Sequence, residues 1–114
     1  MAQAGGRSGF HTITPYLIHP NVDGLVQFVE RAFGGVETFR SRGSAGGLHV
    51  ELRVGDSMLM VGGRAGGEPQ PAMLHLYLDD ADAAYRELSS DAQFFTPMTM
   101  RTFPRGWSGR RRWR

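Results

Sequence analysis

The sequence predicts an α+β fold built on a repeated strand–helix–strand–strand–strand unit whose second copy is incomplete. Three observations predict it. An alternating strand near the start of the chain leads into an amphipathic helix. Three further alternating segments, parted by Gly-rich turns, follow that helix. A strand–helix pair then recurs about 59 residues on, Thr12–Phe33 being answered by Met73–Ser89.

His11 to Ile18 alternates and is rich in β-branched and aromatic residues, so it reads as a strand, broken by Pro20, Asn21 and Asp23. Asp23 is placed to cap a helix from Gly24 to Phe33 by accepting a bond from a first-turn amide. Leu25, Phe28, Val29, Ala32 and Phe33 fall on one face of that helix, and Gly34-Gly35 supplies a left-handed stop. Val36 to Arg40 is the next strand and Ser41 to Gly47 a polar hairpin loop. Leu48 to Val54 has the clearest alternation in the chain, with Leu48, Val50, Leu52 and Val54 on one face and His49, Glu51 and Arg53 on the other. Gly55-Asp56 turns the chain into a strand over Ser57 to Val61.

The order then restarts. Met73 to Leu78 reads as a strand, and Asp80 to Ser89 as a helix with Ala81, Ala84, Tyr85 and Leu88 inward. Ala92 to Phe95 and Met98 to Phe103 are candidate strands beyond it. The expected organisation is a disordered Gly-rich lead-in at 1–11, a first unit at 12–61, a Gly/Pro-rich linker at 62–72, a partial second unit at 73–97 and a disordered basic tail at 98–114. The Gly pairs Gly46-Gly47, Gly62-Gly63 and Gly66-Gly67 are assigned to hairpins or linkers.

Charge divides the chain in the same way. Seven arginines against eleven acidic residues leave residues 1–100 at net −4, whereas the last 14 residues hold six arginines and no acid. The high pI of about 9.7 therefore belongs to the tail. An abrupt switch to Arg, Gly and Trp is what a GC-rich gene read in the wrong frame produces, so a truncated or frame-shifted second unit is one expectation. Hydrophobic content of 40% suits a globular core, and no window is long or apolar enough to span a bilayer. The lead-in has no apolar h-region, and cysteine is absent, which excludes disulfides and thiolate metal sites. A cytoplasmic setting is the expectation. No phosphate-binding loop, no H-E-x-x-H and no nucleophile elbow occurs.

The segments ITPYLIHPNVDGLVQFVERAFGG, LHVELRVGDSMLMVGG and LHLYLDDADAAYRELSSDA, taken in that order, resemble the PhnB-like branch of the vicinal oxygen chelate (VOC) superfamily, which holds glyoxalases, bleomycin-resistance proteins and dioxygenases. The resemblance covers roughly residues 12 to 95. It implies paired βαβββ units forming an open cup-shaped sheet with the helices outside and the ligand inside. It also implies a divalent metal in most relatives, held by a His on the first strand and a carboxylate on the last strand of each unit. Matched motif to motif, three of those four positions here hold Thr14, Met60 and Met73, and the fourth is expected to fall in a strand that the incomplete second unit lacks. Thioether sulfur is soft and does not suit Mg²⁺, Mn²⁺, Zn²⁺ or Fe²⁺, so no metal cofactor is expected.

If the face carrying those positions is the inner one, alternation turns Tyr16, His49, Glu51, Arg53, Met58, Met60, Met73, His75 and Tyr77 into the cup. Ile13, Leu17, Leu59, Val61, Leu74, Leu76 and Leu78 then face the helices. Apolar walls with a few convergent polar groups are the makeup of a small-molecule pocket. His49 beside Glu51 is a candidate general acid–base pair, and Arg53 a candidate clamp for an anionic group. Tyr16, Met60, Met73, His75 and Tyr77 complete the candidate ligand-binding set. Glu51 pairing along the strand with Arg53, as plain solvated surface, is the competing reading, and His11 and His19 read as surface residues.

The expected function is metal-free binding of a small molecule in the cup. The alternatives are a lyase, isomerase or dioxygenase, using the His49/Glu51 pair or a displaced His49–Glu51–His75 metal site, and a non-functional truncated paralogue. A homodimer or other self-association is expected. Binding to nucleic acid through the Arg/Trp tail is a further, disfavoured alternative, and membrane association is not expected.

Overall fold

The computed structural model describes residues 8–43, 46–90 and 94. The lead-in up to residue 7, the tail at 98–114 and all but Phe94 of the candidate strand Ala92–Phe95 lie outside them. The fold is α+β: a four-stranded mixed open sheet with two helices. Its elements run β1 (Tyr16–Ile18), α1 (Val22–Phe33), β2 (Val36–Arg42), β3 (Leu48–Val54), β4 (Ser57–Gly63) and α2 (Ala81–Ser89). The spatial order is β1–β4–β3–β2, with β1 parallel to β4 and the other neighbours antiparallel. The first five elements thus form one βαβββ unit.

β1 is shorter than the alternation from His11 suggests. Pro15 has no N–H to give to a ladder, so strand pairing starts only at Tyr16. The Pro15 carbonyl still accepts from Met60 N at 3.0 Å. Helix α1 starts two residues before the expected Gly24, because Asn21 and not Asp23 is the cap. Asn21 Oδ1 accepts from Gly24 N at 3.0 Å, which satisfies an amide that the helix itself leaves unpaired. Gly34 closes the helix at φ 67°, in the left-handed conformation expected of it, and donates its N–H to Glu30 O.

Val22, Leu25, Val26, Phe28, Val29 and Ala32 form the buried stripe of α1. They meet Val50, Leu52 and Val61, each fully buried on the sheet. Full burial of side chains of this size contributes roughly 1.5–3 kcal/mol each. The apolar face of β3 therefore points at α1, as its alternation predicts. Leu88 of α2 joins the same core, and Phe94 sits 5.5 Å from Phe28, ring centroid to centroid. Asp80 caps α2 through its carboxylate, which accepts from Ala83 N at 2.9 Å. Within α2, Ala84 and Leu88 are buried whereas Tyr85 is 40% exposed, contrary to its expected inward place.

The stretch Met73–Leu78, expected as a strand, has no regular secondary structure. A strand exists only by pairing. The segments expected to pair with it, Ala92–Phe95 and Met98–Phe103, lie outside the described residues apart from Phe94. Ile13 at 85% and Leu74 at 38% exposure accordingly leave the helix-facing set. Among the described residues no helix is long and apolar enough to cross a membrane.

The edge strand β2 is tied to α1 by one arginine. Arg40 grips Glu37 with two nitrogens, at 2.6 and 3.1 Å, and reaches Asp23 of the first helical turn at 2.5 Å. The hydrogen bonds from Arg40 hold the Glu37 carboxyl below its ordinary range and raise the Arg40 guanidinium further. A lowered carboxylate stabilises the fold above its unfolded pKa and loses that contribution as pH falls through its folded value. Glu37→Gln is therefore expected to lower stability modestly at neutral pH, where the contribution is fully present, and to flatten the acid side of the curve below about pH 4, where variant and wild type converge. Chemical denaturation across that range measures it.

Candidate functional site

Residues paired across adjacent strands share a face, so the register assigns every side chain of the sheet to one side. Tyr16, Met60, Glu51 and Phe39 form one such row, from β1 through β4 and β3 to β2. The next row holds Ile18, Gly62, His49 and Ser41. Arg53 and Met58 are paired on the same face further along. This is the face turned away from α1.

Three of the predicted polar residues meet there. His49 Nε2 lies 2.9 Å from Glu51 Oε2, and His49 Nδ1 lies 3.2 Å from the Tyr16 hydroxyl. Glu51 is only 1% exposed, the one buried charged residue among those described, while the His49 side chain is 26% exposed and Tyr16 47%. With Glu51 as a carboxylate, which only accepts, Nε2 is the ring nitrogen that carries the hydrogen toward it. In the neutral ring Nδ1 is then bare and accepts from the Tyr16 O–H. The result is a directed chain, phenol to imidazole to buried carboxylate, running from the surface inward.

The alternation of β3 forces the inner link of this chain, between His49 and Glu51. Residues 49 and 51 are two apart on one strand and stand on the same face, their side chains side by side. The pairing along the strand is made by His49 and not by Arg53, which the competing reading had placed there. Arg53 is exposed. Thr38 Oγ1 donates to the Glu51 carbonyl at 3.3 Å and helps to hold the backbone beneath the dyad.

The remaining predicted residues separate. Met60 is half-buried opposite Glu51, and Met58 is 8% exposed. Met73 and Tyr77 are 89% and 79% exposed on the irregular stretch after β4. His75 is exposed on the same stretch, its ring 4.9 Å from that of Tyr77. The displaced His49–Glu51–His75 site is therefore not assembled, and among the described residues no three His, Cys, Asp or Glu side chains group around a metal position. Thr14, Met60 and Met73 do not fit a divalent ion either. Thr14 precedes β1, Met73 stands in solvent and Met60 offers only a thioether.

Two contributors were not legible as site residues. Phe39 stands 6.3 Å from His49, centroid to centroid, because a register shift between Glu37 and Phe39 puts it opposite Glu51. Sequence alternation gives no sign of such a bulge. Gly62, assigned above to a linker, lies inside β4 opposite His49, and a Cβ there would sit 2.1 Å from the Tyr16 hydroxyl oxygen. Gly63 beside it has φ 153° and comes close to the His19 carbonyl, which a Cβ would approach to 2.1 Å. His19 itself accepts from Asn21 N at 2.9 Å through Nδ1, so it supports the start of α1 and is not a plain surface residue.

No family model, curated protein or solved structure matches this chain. The resemblance of residues 12–95 to VOC chains rests on the motifs quoted above.

A buried polar pair gains little stability over well-packed apolar side chains, yet loses much when only one partner is removed. His49→Leu is expected to cost about 1–3 kcal/mol by withdrawing a donor from a buried carboxylate. His49→Leu combined with Glu51→Leu should recover most of that loss. Urea midpoints of the two variants check this, and a double variant less stable than the single one would mean that the pair holds the fold.

Proposed function

We propose that this chain is a VOC-like domain that binds a small molecule on the sheet face carrying Tyr16, His49 and Glu51, without the metal used by metal-dependent relatives. The observation that carries the reading is the Tyr16–His49–Glu51 chain, a buried carboxylate connected to the surface through an imidazole and a phenol. An apolar face would be simpler to bury, and departures from that rule concentrate at functional sites. The order β1–β4–β3–β2 of a βαβββ unit supports the superfamily assignment. The donor chemistry of Thr14, Met60 and Met73 supports binding without a metal.

The same chain supports a second reading, acid–base catalysis. With Glu51 orienting the ring and accepting from Nε2, His49 Nδ1 is the group that would take a proton, through the Tyr16 hydroxyl, and Glu51 would stabilise the resulting imidazolium. The superfamily's lyase, isomerase and dioxygenase activities make this the natural enzymatic alternative, with His49 and Glu51 in the catalytic roles.

Titration of the purified chain with Ni²⁺, Mn²⁺, Zn²⁺ and Fe²⁺ should leave the melting temperature unchanged. A fragment screen followed by NMR should map binding to Tyr16, Phe39, His49 and Met60, with His49→Leu weakening it. Ligands that perturb only the α1 side, or a stoichiometric ion lost on His49→Ala, would contradict the proposal.

A further inference from the structure

Tyr16 on β1 pairs with Met60 and His49 on β3 pairs with Gly62, so the Tyr16 side chain reaches His49 diagonally across β4, passing over Gly62. A Cβ at Gly62 would lie 2.1 Å from the Tyr16 hydroxyl oxygen, 2.8 Å from Cζ and 2.9 Å from Cε1. The phenol end of Tyr16 thus fills the space that any other residue would need for its own side chain. Tyr16 lies down across the sheet because position 62 is glycine.

The consequence is a row of rings. Tyr16 and His49 have centroids 5.6 Å apart at an interplanar angle of 35°, and His49 and Phe39 follow at 6.3 Å and 65°. The row crosses the sheet from β1 to β2, and its two ends, Tyr16 and Phe39, are 47% and 42% exposed. The Tyr16 hydroxyl and both His49 nitrogens are already engaged with one another or with Glu51. What the face presents is therefore π surface, with the Tyr16 oxygen left as an acceptor. Two of the three rings are held by hydrogen bonds before any ligand arrives, so little side-chain freedom is lost on binding.

We infer that the Tyr16–His49 pair is a stacking platform, flanked by the Phe39 ring standing edge-on to it, and that the ligand is a small planar heteroaromatic molecule, laid over Tyr16 and His49 with an N–H or O–H directed at the Tyr16 oxygen. The inference rests on the proposed binding face and adds the chemical class of its ligand. A sugar or other saturated polyol is disfavoured over the rings themselves, because such ligands need several free donors and acceptors, and the Tyr16 hydroxyl and both His49 nitrogens are used internally.

The test uses the full chain and matched probes: riboflavin against ribitol, and adenosine against ribose. Binding is followed by flavin fluorescence quenching and by NMR. Riboflavin and adenosine are expected to shift the Tyr16, His49 and Phe39 resonances while ribitol and ribose do not. Tyr16→Leu should weaken planar binding roughly tenfold, the scale of one lost stacking contact. Gly62→Val should weaken it similarly by lifting the ring, and Tyr16→Leu keeps the test decisive if that variant fails to fold. Equal binding of the polyols, planar binding indifferent to Tyr16→Leu, or tighter binding of a single-stranded oligonucleotide than of adenosine would each overturn the inference. If non-planar fragments shift His49 while neither planar probe does, only the ligand class falls. If nothing perturbs this face, the proposed function falls with it.

Discussion

The register of β3 between β4 and β2 is the constraint on which the rest of the molecule depends. It sets Val50 and Leu52 against α1 and, by the same stroke, Glu51 and His49 on the opposite face. A slip by one residue would put a carboxylate and an imidazole into the core and two aliphatic side chains outside. The hydrophobic energy that orders the core is thus also what positions the polar chain. Arg40, reaching from β2 to the first turn of α1, ties the edge of the sheet to the helix that covers it.

Much of this was legible in the sequence, for a physical reason. The alternation of Leu48–Val54 and the stripe of α1 each report a surface that is buried on one side only, and periodicity encodes that condition directly. The α+β class, the single helix after a first strand and the three strands after it follow from those two patterns. The errors lie where pairing matters more than pattern. His11–Thr14 and Met73–Leu78 alternate like strands, but Pro15 stops the ladder in the first case. In the second, no strand among the described residues pairs with it. Local sequence reports whether a segment suits a strand, not whether a partner is there to receive it.

The site was legible to a similar depth. Tyr16, His49 and Glu51 fall on one face by alternation within each strand together with the inner face that the VOC resemblance implies, and the sheet register does put them on one face. The same reasoning included Met73, His75 and Tyr77, because it assumed that their segment pairs as a strand. Alternation also describes faces and not depth, so it gave no sign that Glu51 would be buried beneath a half-exposed imidazole. Gly62 escaped notice because its role is the absence of a side chain, which becomes meaningful only once Tyr16 is seen lying over it.

The account stands or falls on the directed chain from the Tyr16 phenol through His49 to the Glu51 carboxylate. The ¹⁵N and imidazole-proton spectra of selectively labelled protein test it most directly, at a pH where His49 is neutral and with the exposed His11 as an internal reference. The account predicts a hydrogen-bonded Hε2 on His49 that exchanges slowly with solvent, a bare Nδ1, and a cross-peak between the His49 and Tyr16 rings. A His49 ring with Nδ1 protonated, or one that exchanges as fast as His11 and shows no contact with Tyr16, would contradict it.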